Sequence, residues 1–146
     1  MDRLNMALEA PAKDTERYFE QIEEGEEYSV ENKRTITEAD IVNFAGVSGD
    51  FSEWHVSKAR MESSDFGERI AHGLLVMAVS DALIDDMNPR AITYGYEEVR
   101  FPTPTTVGDT LSAHRKVVDT ADYDDTYGRV DYRYEAENQE GETVFA

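Results

Sequence analysis

Apolar and polar residues alternate most cleanly over 127–136. Val130, Tyr132, Tyr134 and Ala136 fall on one side there, and Asp131, Arg133 and Glu135 on the other. A period of two with one polar side predicts a strand with one face in water. Similar runs predict strands over 28–36, with Tyr28, Val30 and Ile36 as apolar members, and over 92–101, 110–119 and 142–146. Turn residues separate them: Glu23-Glu24-Gly25-Glu26-Glu27, Pro102-Thr103-Pro104, Gly108-Asp109 and Asn138-Gln139-Glu140-Gly141.

Helical spacing predicts the other elements. Thr37 with Asp40 three residues on reads as a capping box, and Ile41, Phe44 and Ala45 continue it as a short helix over 38–46. A second short helix is expected over 57–63, with a turn over 65–67. The longest helix runs from Ile70 to Met87 and stops at Asn88-Pro89. It is apolar all round over 73–79, the pattern of a helix buried on every side, until Asp81, Asp85 and Asp86 bring one face to the surface. Residues 1–17 are polar, contain Pro11 and lack periodicity, which predicts a loosely held arm before a single domain over 18–146. The expected fold is α+β: about five antiparallel strands whose apolar face is covered by the long helix. So small a sheet leaves open edges, and dimerisation is the expected way to cover one.

Composition narrows the partners. Of 146 residues 32 are acidic and 14 basic, a formal charge of -18, which leaves no basic surface for nucleic acid. The acidic excess serves solubility, and with so few lysines it also suits a high-salt cytoplasm, where screening weakens self-repulsion. Cysteine is absent, which excludes disulfides, thiolate metal sites and a cysteine nucleophile. No apolar run reaches the roughly 18 residues of a membrane span, and the N-terminus lacks the basic-then-apolar order of a signal peptide. A soluble, cytoplasmic protein is expected.

Candidate chemistry gathers between Phe44 and Ala82. Asp50 and His55 offer a base and a proton donor, the pairing that general acid–base work needs. Five residues apart, they would diverge by about 140° on a helix, so they converge only if the chain turns, which Gly49 and Ser52 permit. The competing account has Asp50 capping that turn and His55 opening the next helix. At His72-Gly73 a helix opens with a glycine whose amide an oxygen can approach closely, a donor suited to a developing oxyanion or a means of tight packing. His72 itself reads as a hydrogen-bonded structural residue. His114 reads as surface, as do Asp81, Asp85 and Asp86, and Trp54 reads as a lid between the turn and the long helix. No phosphate-binding loop, dinucleotide glycine pattern, HExxH or serine elbow is present, and no cofactor or metal is expected.

Four ordered strings resemble a known family: Arg34-Thr35-Ile36-Thr37-Glu38-Ala39-Asp40-Ile41; Phe44-Ala45 with Ser48-Gly49-Asp50 and His55; Phe66-Gly67 with Ile70-Ala71-His72-Gly73 and Leu75; and Phe101, Pro104 and Gly108-Asp109-Thr110-Leu111. Together they are similar to the MaoC-like dehydratases, the (R)-specific enoyl-CoA hydratases of the hotdog fold. The resemblance covers about residues 18–145. It implies a helix of about 72–86 wrapped by an antiparallel sheet, and a homodimer joined edge to edge. It further implies acyl-CoA as substrate and an active site in which Asp50 and His55 hold one water. Asp50 would take its proton as oxygen adds to C3 of a trans-2-enoyl thioester. His55 would orient the water and help deliver a proton to C2, and the Gly73 N–H would polarise the carbonyl. Helical residues two turns on, Asp81 among them, would line the acyl pocket. An inward Asp81 would favour a short or polar acyl group.

Two positions depart from the family's Asp-x-Asn-Pro-apolar-His: Ser52 stands for the Asn and Glu53 for the Pro. A serine hydroxyl is shorter and offers one donor where an amide offers two and a carbonyl, so Ser52, placed with Gly73 among the substrate-binding residues, would act only through a water. Glu53 adds a carboxylate to the turn. Ser57 replaces the acid that often follows the histidine. The alternatives are a non-catalytic acyl-CoA-binding or partner subunit on the same scaffold, and an acyl-CoA thioesterase that uses a carboxylate near the central helix.

Overall fold

The computed structural model describes residues 16–146; the expected arm therefore lies almost wholly outside the described residues. A 3-10 turn at Phe19–Gln21 leads into β1 (Glu27–Thr35). Four helices follow: α1 (Glu38–Ser48), α2 (Glu53–Val56), α3 (Lys58–Met61) and α4 (Gly73–Ile84). Then come β2 (Thr110–Asp122), β3 (Gly128–Glu137) and β4 (Thr143–Phe145). The strands form one antiparallel sheet in the order β1-β2-β3-β4.

Register follows from what the inner face must bury. Val30 lies opposite Ala113, Ala113 opposite Ala136, and Ala136 opposite Phe145. These positions join Leu111, Val144 and the α4 residues Leu75, Val76, Val79 and Ile84 in a single buried cluster. Shifting one strand by one residue would turn its apolar set into water, so the helix fixes the pairing. An antiparallel sheet with this helix across one face is the α+β hotdog arrangement that the resemblance implies.

The capping box is present: the Thr37 N–H donates to Asp40 Oδ2 at 2.8 Å and the Asp40 N–H to the Thr37 hydroxyl at 3.3 Å. α1 stops at Gly49, whose φ of +79° lets its N–H reach the Ala45 carbonyl at 2.9 Å. The left-handed residue turns the chain sharply, and Asp50 is the next residue out.

Three expectations change. The long helix is shorter at both ends, Gly73–Ile84. It is not buried all round either, because Leu74 is 64 % exposed and Ala78 and Ala82 are exposed with it. These lie on one stripe that no element among the described residues covers. The strand expected over 92–101 is absent, and Ile92 and Tyr94 point into solvent. Its end survives as pairing alongside β4: Arg100 and Ala146 exchange backbone hydrogen bonds of 2.8 and 3.1 Å, and the Thr103 N–H donates to Thr143 O. Prolines at 102 and 104 deny the segment the donors a longer ladder needs. The expected helix over 57–63 is a single turn, α3, and a further single turn, α2, precedes it across Ser57.

Candidate active site

Asp50 and His55 converge. One turn of helix, α2, carries His55 back so that its Nε2 lies 3.6 Å from Asp50 Oδ2. That gap exceeds a direct hydrogen bond and is of the width that one water, about 2.8 Å from each atom, would span. The other atoms of both side chains are committed. The Ser52 N–H donates to Asp50 Oδ1 at 3.1 Å, and the Asp50 N–H donates to the Ser48 hydroxyl at 3.1 Å. His55 Nδ1 lies 2.7 Å from the Ile70 carbonyl. A carbonyl only accepts, so Nδ1 carries the hydrogen, and in the neutral ring Nε2 is the acceptor that faces Asp50. The Asp50 side chain is 51 % exposed and that of His55 12 %: the carboxylate is open to approach and the imidazole is enclosed.

The oxyanion donor expected at Gly73 lies at the mouth of α4. Its N–H has no hydrogen-bond partner among the described residues, and the first intrahelical bond runs from Val76 N to His72 O at 3.1 Å. A Cβ at Gly73 would stand 2.8 Å from two ring carbons of Phe101. Glycine is the residue that fits there without displacing the Phe101 ring. Phe51, Trp54, Phe66, Leu74 and Phe101 are large apolar side chains exposed by 40 to 64 %. Glu53 pairs with Arg60 at 3.0 Å. Trp54 packs edge-on against Phe66, 5.6 Å between centroids. Ser52 makes its contacts through its backbone: its carbonyl accepts from His55 N at 3.0 Å, and its hydroxyl caps nothing.

His72 is 3 % exposed, and its Nε2 lies 3.0 Å from the Asp50 carbonyl. Asp50, His55 and His72 each place a donor atom within 4.8 Å of the others. His72 is poorly placed to hold a metal there, since Nε2 is spent on Asp50 O and Nδ1 is sealed from solvent. Asp50 and His55 are left as the pair with free atoms.

Asp81 was expected at the surface and is half-buried. Burial raises its pKa first and the neighbouring Asp85 carboxylate second. Tyr96 and Tyr134 are both raised, by burial and next by the charge of Asp81, which places the three in one partly dry region beside Arg115. Asp86 also departs from the surface reading: it pairs with Arg115 at 3.3 Å, their side chains 15 and 11 % exposed. His114 stays on the outer strand face, paired with the Ser29 hydroxyl at 2.7 Å.

The Ile70 carbonyl that orients His55 and the Phe101 ring over Gly73 were invisible in the sequence. A backbone acceptor has no residue type, and Phe101 meets α4 only through tertiary packing.

Comparison with known proteins places this geometry. The chain is 41 % identical over 108 residues to protein MaoC of Klebsiella aerogenes, covering 70 % of this chain and 32 % of that protein. It is 38 % identical over 98 residues to an (R)-specific enoyl-CoA hydratase of Rhodospirillum rubrum, covering 66 % of each. The chain thus spans less than two thirds of the length of both relatives. Among solved structures, a monoamine oxidase regulatory protein from Archaeoglobus superposes with a TM-score of 0.82 at 35 % identity, over 89 % of both chains. An (R)-hydratase from Pseudomonas aeruginosa gives 0.72 at 30 %, over 87 % of this chain and 79 % of its own. The family model described as a MaoC like domain matches residues 19–138. Since that match takes in both halves of the Asp50–His55 pair, the helix mouth and nearly the whole sheet, the chain belongs to the MaoC-like dehydratase domain family.

Proposed function

We propose that this chain adds water to trans-2-enoyl-CoA thioesters to give (R)-3-hydroxyacyl-CoA, and runs the reverse dehydration. The observation that carries the reading is the pair of free atoms, Asp50 Oδ2 and His55 Nε2, 3.6 Å apart. Both can accept hydrogen bonds from one water. Asp50 takes a proton as the water oxygen adds to C3. Charge moves onto the thioester oxygen, where the Gly73 N–H stabilises it. The abstracted proton, held between Asp50 and His55, passes to C2, so water is added and neither group ends changed. The name of the Rhodospirillum relative supports the stereochemistry and the thioester.

The same reading takes in a homodimer. The exposed stripe of Leu74, Ala78 and Ala82 and the unpaired segment around Ile92 and Tyr94 form apolar surface that a second copy would cover. The half-buried Asp81 supports a short or polar acyl group. Turnover of octenoyl-CoA above that of crotonyl-CoA ends that part of the reading.

The test of the reaction is the loss of crotonyl-CoA absorbance at the enoyl band, in high potassium chloride, for the wild type and Asp50→Asn. Turnover that collapses in the variant is expected. A folded wild type that binds CoA thioesters without turnover refutes the hydratase and leaves the binding subunit. Release of free thiol identifies the thioesterase.

A further inference from the structure

His72 ties together every group the proposed reaction uses. Its Nε2 lies 3.0 Å from the Asp50 carbonyl, and since a carbonyl only accepts, that nitrogen carries the hydrogen. Its ring stacks on that of His55, 3.7 Å between centroids at 27°, and meets Phe44 of α1 at 4.9 Å on the other side. Its peptide bond supplies the Gly73 nitrogen. One side chain therefore touches α1, α2 and the Asp50 loop, and the residue's carbonyl carbon is bonded to the oxyanion donor's nitrogen.

Packing alone does not account for the residue. His72 Nδ1 is buried with no hydrogen-bond partner among the described residues. A buried acceptor left without a partner costs about 1–3 kcal/mol, which a phenylalanine or leucine in the same space would avoid. The fold keeps an imidazole with one orphaned nitrogen, and what it gains is the single bond from the other nitrogen to Asp50. The Asp50 loop needs that bond: within it Gly49 is left-handed, and Asp50 is otherwise held by the short contacts to Ser48 and Ser52.

We propose that His72 is a positioning residue, whose Nε2–H holds the Asp50 loop and whose ring sets the plane of His55, so that both face the Gly73 amide. The proposal rests on the hydratase reading for its kinetic consequence, but its geometric content stands apart from it.

Two variants separate the functions of the side chain. His72→Phe keeps a flat ring against His55 and loses the donor; His72→Gln keeps a donor of similar reach and loses the ring. Displacement of a reacting group by an ångström can cost about 100-fold, so His72→Phe is expected to lower kcat by about 10- to 100-fold with KM little changed, and His72→Gln to regain most of it. Equal loss of kcat in both, in step with equal loss of thermal stability, overturns the proposal in favour of plain packing. Wild-type kcat in His72→Phe also overturns it.

Two readouts are independent of turnover. Nitrogen-15 shifts of the wild type are expected to show the Nε2–H tautomer for His72; the Nδ1–H form overturns the proposal even if His72→Phe does not fold. Hydrogen exchange at amides 50–52 is expected to quicken in His72→Phe while that of α4 does not; unchanged exchange overturns the proposal. A wild type with no hydratase turnover, but with the tautomer and exchange as expected, refutes the reaction and leaves the positioning intact.

Discussion

Replacing Gly73 by alanine separates the cost of packing from the cost to chemistry. The added Cβ would stand 2.8 Å from Phe101 Cδ2 and Cε2 and 3.1 Å from Cζ. Carbon atoms rest about 3.5–4.0 Å apart, so the ring has to withdraw by about 1 Å. The backbone around it cannot: Arg100 is bonded twice to Ala146, and Thr103 to Thr143. The ring itself is free to turn, being 40 % exposed and only loosely set against Phe145, 6.0 Å between centroids. Overpacking of this kind costs about 1–3 kcal/mol, and alanine returns up to about 1 kcal/mol through its better helix propensity. The net loss of stability is thus about 1–2 kcal/mol, a fall of a few degrees in Tm for a chain of this size. The chemical cost is larger. The methyl group fills the approach to the Gly73 N–H, and losing one oxyanion donor typically lowers kcat by about 100- to 1,000-fold. Crotonyl-CoA hydration and thermal melting, measured on Gly73→Ala and on Gly73→Ala with Phe101→Leu, check both figures. The second substitution makes room for the methyl group and is expected to restore Tm but not turnover. Recovery of turnover in the double variant would refute the donor assignment, since the clash would then have been the cause.

Other perturbations test the far end of α4 and the surface. Asp81 has a folded-state pKa above its ordinary value near 3.8, so the folded chain holds its proton more tightly than the unfolded one. Its contribution is favourable below that ordinary value and is lost as pH rises through the folded pKa. Asp81→Asn is expected to raise the denaturant midpoint at pH 7 and to leave it nearly unchanged at pH 3; an equal gain at both would contradict the burial argument. Arg115→Met strands Asp86 beside Asp81 and Asp85 in a nearly dry site, and losses for breaking such a pair run to about 3 kcal/mol. Adding Asp86→Leu is expected to recover most of that in urea unfolding, and no recovery would place the loss elsewhere. With a charge of -18, Tm is expected to climb as potassium chloride rises from 0.1 M to 1 M, where the screening length falls from about 10 to about 3 Å. A flat response would count against self-repulsion as a limit on stability.

All four strands of the sheet, the capped α1 and the existence of α4 were legible because each depends on local order. Alternation over 127–136 marks β3 whatever it packs against, and Thr37 with Asp40 closes its box within a single turn. The pairing of Asp50 and His55 could be suspected from residue type, and the four ordered strings pointed to the family. Other features escaped. An all-apolar run implies burial but does not say by what, and along Leu74, Ala78 and Ala82 the described residues supply no cover. The segment over 92–101 carries the residues of a strand yet lacks a neighbour along most of its length. Strand formation needs a partner, and the partner is not a property of the segment.

By itself, then, the sequence determined the element types, the order of the chain and the residues able to do acid–base work, because periodicity, caps and side-chain chemistry act over a few residues. Tertiary structure alone decided how those residues are aimed. It placed the Ile70 carbonyl on His55 and His72 on the Asp50 carbonyl, 15 and 22 residues away along the chain, and closed Phe101 over Gly73. It also drew Asp81 and Asp86, which composition assigns to water, partly out of it. Hydrogen bonds to backbone carbonyls and the drying of a helix end depend on which distant surfaces meet, and packing around one core settles that.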